Sequence, residues 1–190
     1  MLERRGQESR SSLSAADPAL RGAIKMPIDC LPYHPDDRPQ LLRLLGQTIA
    51  VLGPQAYTPD QVAAWGQASQ HHLSQEPDPL IQGITLVAHR PNPGAINRRI
   101  GSAIGFGQLQ PLDRVAMLYI APEWVGQGVG KALYGQLETI AQRQGVTQLR
   151  TEASHLARPF FQAQGFEVQR QEWVVLGGVA IDRFVMLKAL

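Results

Sequence analysis

The feature that most limits what this chain can build lies in its second half. There the apolar run VAMLYI, residues 115–120, leads into APEWVGQGVGKAL. Gly126, Gly128 and Gly130 alternate just where a helix with Val129, Leu133, Leu137 and Ile140 on one face begins. Alternating glycines let the backbone approach a bulky ligand and turn successive N–H groups inward. The first amides of a helix lack internal partners and lie at the positive end of its dipole, so the junction suits a phosphate or pyrophosphate. The plainer alternative is a tight turn that needs glycine for its conformation alone.

Spacing excludes the two commonest nucleotide loops. A Walker A loop requires glycine where Val125 stands and Ser or Thr where Ala132 stands. A dinucleotide fingerprint begun at Gly126 requires glycine at Lys131, and one begun at Gly128 requires it at Leu133. It also belongs at the first strand of a parallel unit, whereas this turn lies past residue 120.

Around the junction the elements follow a mixed order. MPIDCLPY reads as a strand, and Asp36 and Asp37 start a helix carrying Leu41, Leu42, Leu44, Leu45, Ile49 and Leu52. Thr58 caps a second helix with Pro59 at its first position. Residues 80–89 and 100–109 read as a hairpin joined by RPNPGAINR. The glycine-turn helix is expected over 126–143, followed by a strand at 149–153 and a short helix ending at Gly165. Strands 166–176 and 179–187 form a second hairpin over Gly177 and Gly178. The fold class is α+β, with a mixed, largely antiparallel sheet of about seven strands and about four helices.

With 190 residues the chain suits one domain, expected at 26–190, with residues 1–25 a disordered extension. A net charge of +2 without a basic stripe argues against nucleic acid, and no apolar run is long enough to span a bilayer. The single cysteine, Cys30, excludes an internal disulfide framework and fits a reducing, cytoplasmic setting.

The junction resembles motif A of the GNAT superfamily of N-acetyltransferases: a Leu-x-Val strand, a Pro-containing turn, then Gln/Arg-x-x-Gly-x-Gly/Ala. Here these are Leu118-Tyr119-Ile120, Pro122-Glu123 and residues 125–130, with Val125 in the Gln/Arg position. TEASHLARPFFQAQGFEV is similar to motif B of that family, with Ala157, Gly165 and Phe166 matching, Ser154 at its Asn position and Phe161 at its Tyr position. AYTPDQVAAW, ASHLARPFF and GGVAIDRFVMLK are similar to the YafP-like acetyltransferase group. The resemblance implies a GNAT-like fold and an enzyme that moves an acetyl group from acetyl-CoA to a primary amine by direct transfer in a ternary complex. It implies that Leu118, Tyr119 and Ile120 pair with the pantetheine arm. It further implies that Gly126, Gln127, Gly128, Val129, Gly130 and Lys131 cradle the pyrophosphate, with Ser154 and Phe161 beside the cofactor.

Phenylalanine cannot protonate a leaving thiolate, so the role of the family's tyrosine does not carry over to Phe161. Water, Tyr119 or Tyr57 is left for it. Glu152, two residues before Ser154 on one strand and so on the same side, is the expected base. Tyr57 and Trp65 are expected to wall the acceptor, a small-molecule or peptide amine that the sequence does not name. His71, His72 and His155 lack metal-ligand spacing, so no metal is expected. A homodimer stays open, as does a rival reading: a GNAT-like module that holds acyl-CoA with little or no transfer.

Overall fold

The computed structural model describes residues 28–90 and 102–190. The expected extension at 1–25 and most of the RPNPGAINR connection lie outside the described residues. Seven strands form one sheet among the described residues: β1 (Asp29–Pro32), β2 (Ile84–His89), β3 (Ala103–Leu109), β4 (Arg114–Ile120), β5 (Gln148–Ala153), β6 (Glu167–Leu176) and β7 (Val179–Ala189). Their order is β1-β2-β3-β4-β5-β7-β6. Four α-helices accompany them: α1 (Arg38–Leu52), α2 (Pro59–Leu73), α3 (Val129–Arg143) and α4 (Arg158–Ala163).

Period-2 alternation separates the sheet's two faces. On β2, Leu86 and Ala88 join the core with α3, while Val87 joins the core with α1. The α3 core gathers Val129, Leu133, Tyr134, Leu137 and Ala141 against the sheet, and Phe161 and Phe166 extend it under α4. The α1 core gathers Leu41, Leu44, Leu45 and Ile49 with Leu73 of α2 and Phe106 of β3. Gly107 on β3 admits α3 at close range, since a Cβ there would meet a Leu137 methyl at 2.9 Å.

Local chemistry sets the element ends. Thr58 and Gln61 form a reciprocal capping box at the start of α2, with Gln61 N donating to Thr58 Oγ1 and Thr58 N to Gln61 Oε1. Asp37 instead turns its carboxylate back onto His34 N at 3.0 Å, so a 3-10 turn over Pro35–Asp37 precedes α1. Asp78 accepts from Leu80 N at 2.9 Å and holds residues 79–81 in another such turn, which delays β2 to Ile84. The glycine-turn helix starts at Val129 rather than at Gly126, because Gly126 and Gly128 sit at φ +78° and +88°. Gly177 and Gly178, also at positive φ, close the β6–β7 hairpin as expected.

Leu137 has no exposed surface and lies at the centre of the α3 core. Leu137→Ala is expected to lower stability by about 3 kcal/mol, read as a shift of the denaturant midpoint with unchanged slope.

Candidate active site

The sheet is incomplete in its middle. Among the described residues β4 and β5 are its only parallel neighbours, and they pair at just two rungs, Arg114↔Arg150 and Val115↔Thr151. Beyond Val115 the strands part. Ala121 N donates to Ile104 O at 2.9 Å, toward β3, whereas Ile120 O accepts from the Thr48 hydroxyl at 3.0 Å on the other side. Strand alternation then turns the N–H and C=O of Leu118 and Ile120 toward the open side. A cavity of about 550 Å³ fills the gap.

The glycine turn reaches the same cavity. Ala132 N makes the first intrahelical bond of α3, to Gly128 O at 3.0 Å, which leaves the amides of Val129, Gly130 and Lys131 ahead of any helical acceptor. Gly126, Gly128, Gly130 and Lys131 line the cavity, as do Leu118, Tyr119 and Ile120. Gln127 and Val129 contribute no lining side chain: Gln127 donates to Glu123 O at 2.6 Å, and Val129 is wholly buried in the α3 core. Only their backbone can face an anion there.

Ser154 and Phe161 both line the cavity. The Ser154 hydroxyl accepts from Ala157 N at 3.1 Å and so braces the start of α4. Phe161 is 3% exposed and meets Phe160, Phe166 and Tyr134 edge-on, with centroids 5.3, 5.2 and 6.3 Å away. Phe160, which the motif comparison passed over, also faces the cavity and abuts Gly130.

Glu152 lines the cavity but is not a free carboxylate. Arg114 donates to its Oε2 through Nε at 2.7 Å and Nη2 at 2.6 Å, and Arg150 Nη1 donates to Oε1 at 3.4 Å. Both of its oxygens are thus engaged by guanidiniums. Arg114 is 38 residues away in sequence and reaches Glu152 only through the pairing of β4 with β5, whereas Arg150 stands two residues before it on the same strand.

Tyr57 and Trp65 line the cavity together, their rings edge-on at 5.5 Å and 66°. The Tyr57 hydroxyl accepts from His155 N at 3.0 Å and donates to Asp182 O at 3.3 Å, and burial raises its pKa. Asp182, another residue the sequence did not single out, is held by His155 Nε2 at 2.5 Å and Gln171 Nε2 at 2.6 Å. Burial alone would push the Asp182 carboxyl up, but those two hydrogen bonds outweigh it and hold it below its usual value. Tyr119 stacks on Phe106 on the α1 side, and burial raises its pKa too, which makes it a poorer acid. Cys30 is a β1 residue away from the cavity; burial, with Asp29 next to it, pushes its thiol up to about 11.

The arrangement matches a known family over most of the chain. The model of the acetyltransferase (GNAT) domain matches residues 55–182, from just before α2 into β7. This chain belongs to the GNAT acetyltransferase family. It is an acyltransferase. It is 24% identical over 155 residues to the uncharacterized N-acetyltransferase YafP of Escherichia coli (strain K12), covering 81% of this chain and 91% of that protein. Its fold is similar to a GCN5-related N-acetyltransferase from Rhodopseudomonas palustris, with a TM-score of 0.75 and 27% identity, over 86% of this chain and 96% of that one. It is also similar to PaiA N-acetyltransferase from Thermoplasma acidophilum, solved in complex with coenzyme A, with a TM-score of 0.66 and 18% identity, over 87% and 100%.

The α3 amides give the first test of this GNAT site. Gly128→Glu sets bulk and negative charge against them and is expected to abolish acetyl-CoA binding by calorimetry. Thermal unfolding of the variant separates this from the strain that any side chain adds at φ +88°.

Proposed function

We propose that this GNAT domain, taken as residues 26–190, transfers the acetyl group of acetyl-CoA to a primary amine by direct attack within a ternary complex. One observation carries the reading: the open edge of β4 and the unsatisfied amides of α3 meet in a single cavity. The amides of residues 126–131 are assigned to the pyrophosphate and the edge groups of Leu118 and Ile120 to the pantetheine arm. The coenzyme A bound to PaiA, a protein of the same fold, supports this ligand.

In the proposed reaction the amine nitrogen bonds to the thioester carbon, the C–S bond breaks, the nitrogen loses a proton and the coenzyme leaves as a thiolate. The Leu118 amide is the donor to the carbonyl oxygen as it gains charge. Phe161 has no proton to give, so water reprotonates the thiolate. Glu152 is given a positioning role, holding Arg114 and Arg150 across the base of the gap, and water in the cavity receives the amine's proton. The rival reading, an acyl-CoA-binding module without efficient transfer, draws on Phe161 and Val125. Coenzyme A release with a panel of amines, compared with acetyl-CoA affinity, decides between the two.

Two variants test the assignments. Glu152→Gln keeps the shape but weakens the hold on both arginines, so stability and turnover should fall while the shape of the pH–rate profile stays. A drop of roughly 10²–10⁴ in turnover with loss of the profile's acidic limb would make Glu152 the base after all. Phe161→Tyr should give no gain in single-turnover rate, because its hydroxyl enters an aromatic cluster. A gain of about tenfold or more, worth about 1.4 kcal/mol of barrier, would mean that the missing acid limits this chain.

A further inference from the structure

Behind the gap lies a second chamber of about 400 Å³. It shares Trp65, Arg114, Met117, Tyr119, Leu176 and Arg183 with the first, so the two adjoin at the edge of β4. Its size is that of a small-molecule pocket. Trp65, Met117 and Leu176 give it an apolar wall, and Ser69, Gln82, Gln108 and Gln110 supply uncharged polar groups.

The carboxylates around both chambers are already engaged, and the lining cations Arg114, Lys131 and Arg183 outnumber them. Among the described residues, Glu152 and Asp182 are the only carboxylates lining either one. Glu152 is held by Arg114 and Arg150, and Asp182 by His155 and Gln171. Arg183 is likewise taken up by Glu172, with its Nε at 2.8 Å and Nη2 at 2.7 Å from Oε1. An acceptor bringing a second positive charge would be desolvated beside Arg114 and Arg183 with no uncommitted carboxylate to meet it. An acceptor bringing a negative charge would meet guanidiniums that already hold Glu152 and Glu172, while Lys131 stands at the glycine turn assigned to the pyrophosphate. A single amine on an uncharged body meets neither penalty and buries that body on the apolar wall.

We propose that the acceptor is a small monoamine on an uncharged apolar body, seated against Trp65, Met117 and Leu176, and that the cavity rejects polyamines and lysine-rich peptides. This deepens the transferase reading and rests on it. Charge sets the selection as much as shape does: the site offers apolar area and neutral hydrogen-bonding groups, and withholds the free carboxylates that a polycation needs.

The test uses the full chain with acetyl-CoA and follows coenzyme A release chromatographically for phenethylamine, spermidine, glutamate and an N-terminally blocked lysine peptide. Acetyl-CoA binding is measured separately by calorimetry. The expected kcat/KM for phenethylamine exceeds that for each of the others by about a hundredfold. Trp65→Ala and, independently, Met117→Ala should each raise the KM for phenethylamine, by about tenfold for Trp65→Ala, with acetyl-CoA affinity retained. If Trp65→Ala fails to fold, Met117→Ala and the amine panel decide. Equal or better turnover of spermidine, glutamate or the peptide overturns the proposal and leaves the transferase reading standing. Release from no amine, whether or not acetyl-CoA binds, overturns that reading and the proposal with it.

Discussion

The parting of β4 and β5 is the constraint on which the rest of this structure depends. At the base of the V, Arg150 N donates to Asp113 O at 2.8 Å and the Thr151 hydroxyl donates to Val115 O at 2.9 Å. Above it, each strand is claimed by a different neighbour. β4 is tied to β3 and, through Thr48, to α1, while β5 pairs with β7 along its whole length. Two competent ladders thus pull adjacent strands apart, and the unpaired backbone in the opening is a by-product of pairing elsewhere. A buried polar edge left without partners would be destabilising, but an edge that faces a cavity is reached by water or by a ligand.

What the sequence revealed divides along the range of the interaction concerned. The α3 face, the Thr58 cap and the Gly177-Gly178 turn were legible because each is decided within a few residues. The glycine turn was legible as a break at the strand-to-helix junction for the same reason, although its helix starts three residues later than helical periodicity suggested, since periodicity does not register positive φ. Gly107 was not legible: its need arises from Leu137, which is 30 residues away and on another element. Glu152 was placed correctly at the cavity from strand parity alone, but its partner Arg114 was invisible because it reaches Glu152 across the base of the V. Asp182 lies in the quoted segment GGVAIDRFVMLK but was not singled out, because it joins the cavity only when β7 returns beside β5.

The exchange of tyrosine for phenylalanine at Phe161 has a structural side as well as a chemical one. Four rings, Tyr134, Phe160, Phe161 and Phe166, close on one another edge to face beneath α4. Tyr134 sends its hydroxyl out of that cluster to Glu138 at 2.7 Å, so the interior of the cluster holds no unpartnered polar atom of its own. Phe160 presses on Gly130 at the first turn of α3, so the packing of α4 fixes the distance between the aromatic wall and the glycine turn. The apolar side of the cavity and its electropositive side are therefore built as one unit.

The Tyr57 hydroxyl joins what would otherwise be two halves. It stands just before α2, yet it accepts from the backbone of His155, next to the Ser154 that braces α4, and donates to the backbone of Asp182 on β7. A ligand that nudges this ring thereby loads the turn that carries the aromatic wall on the far side of the gap. By thermodynamic linkage the effect is reciprocal: whatever factor one occupant changes in the affinity of the other, it receives back unchanged. A single phenolic oxygen thus ties the segment ahead of α2, the turn ahead of α4 and β7 to one another.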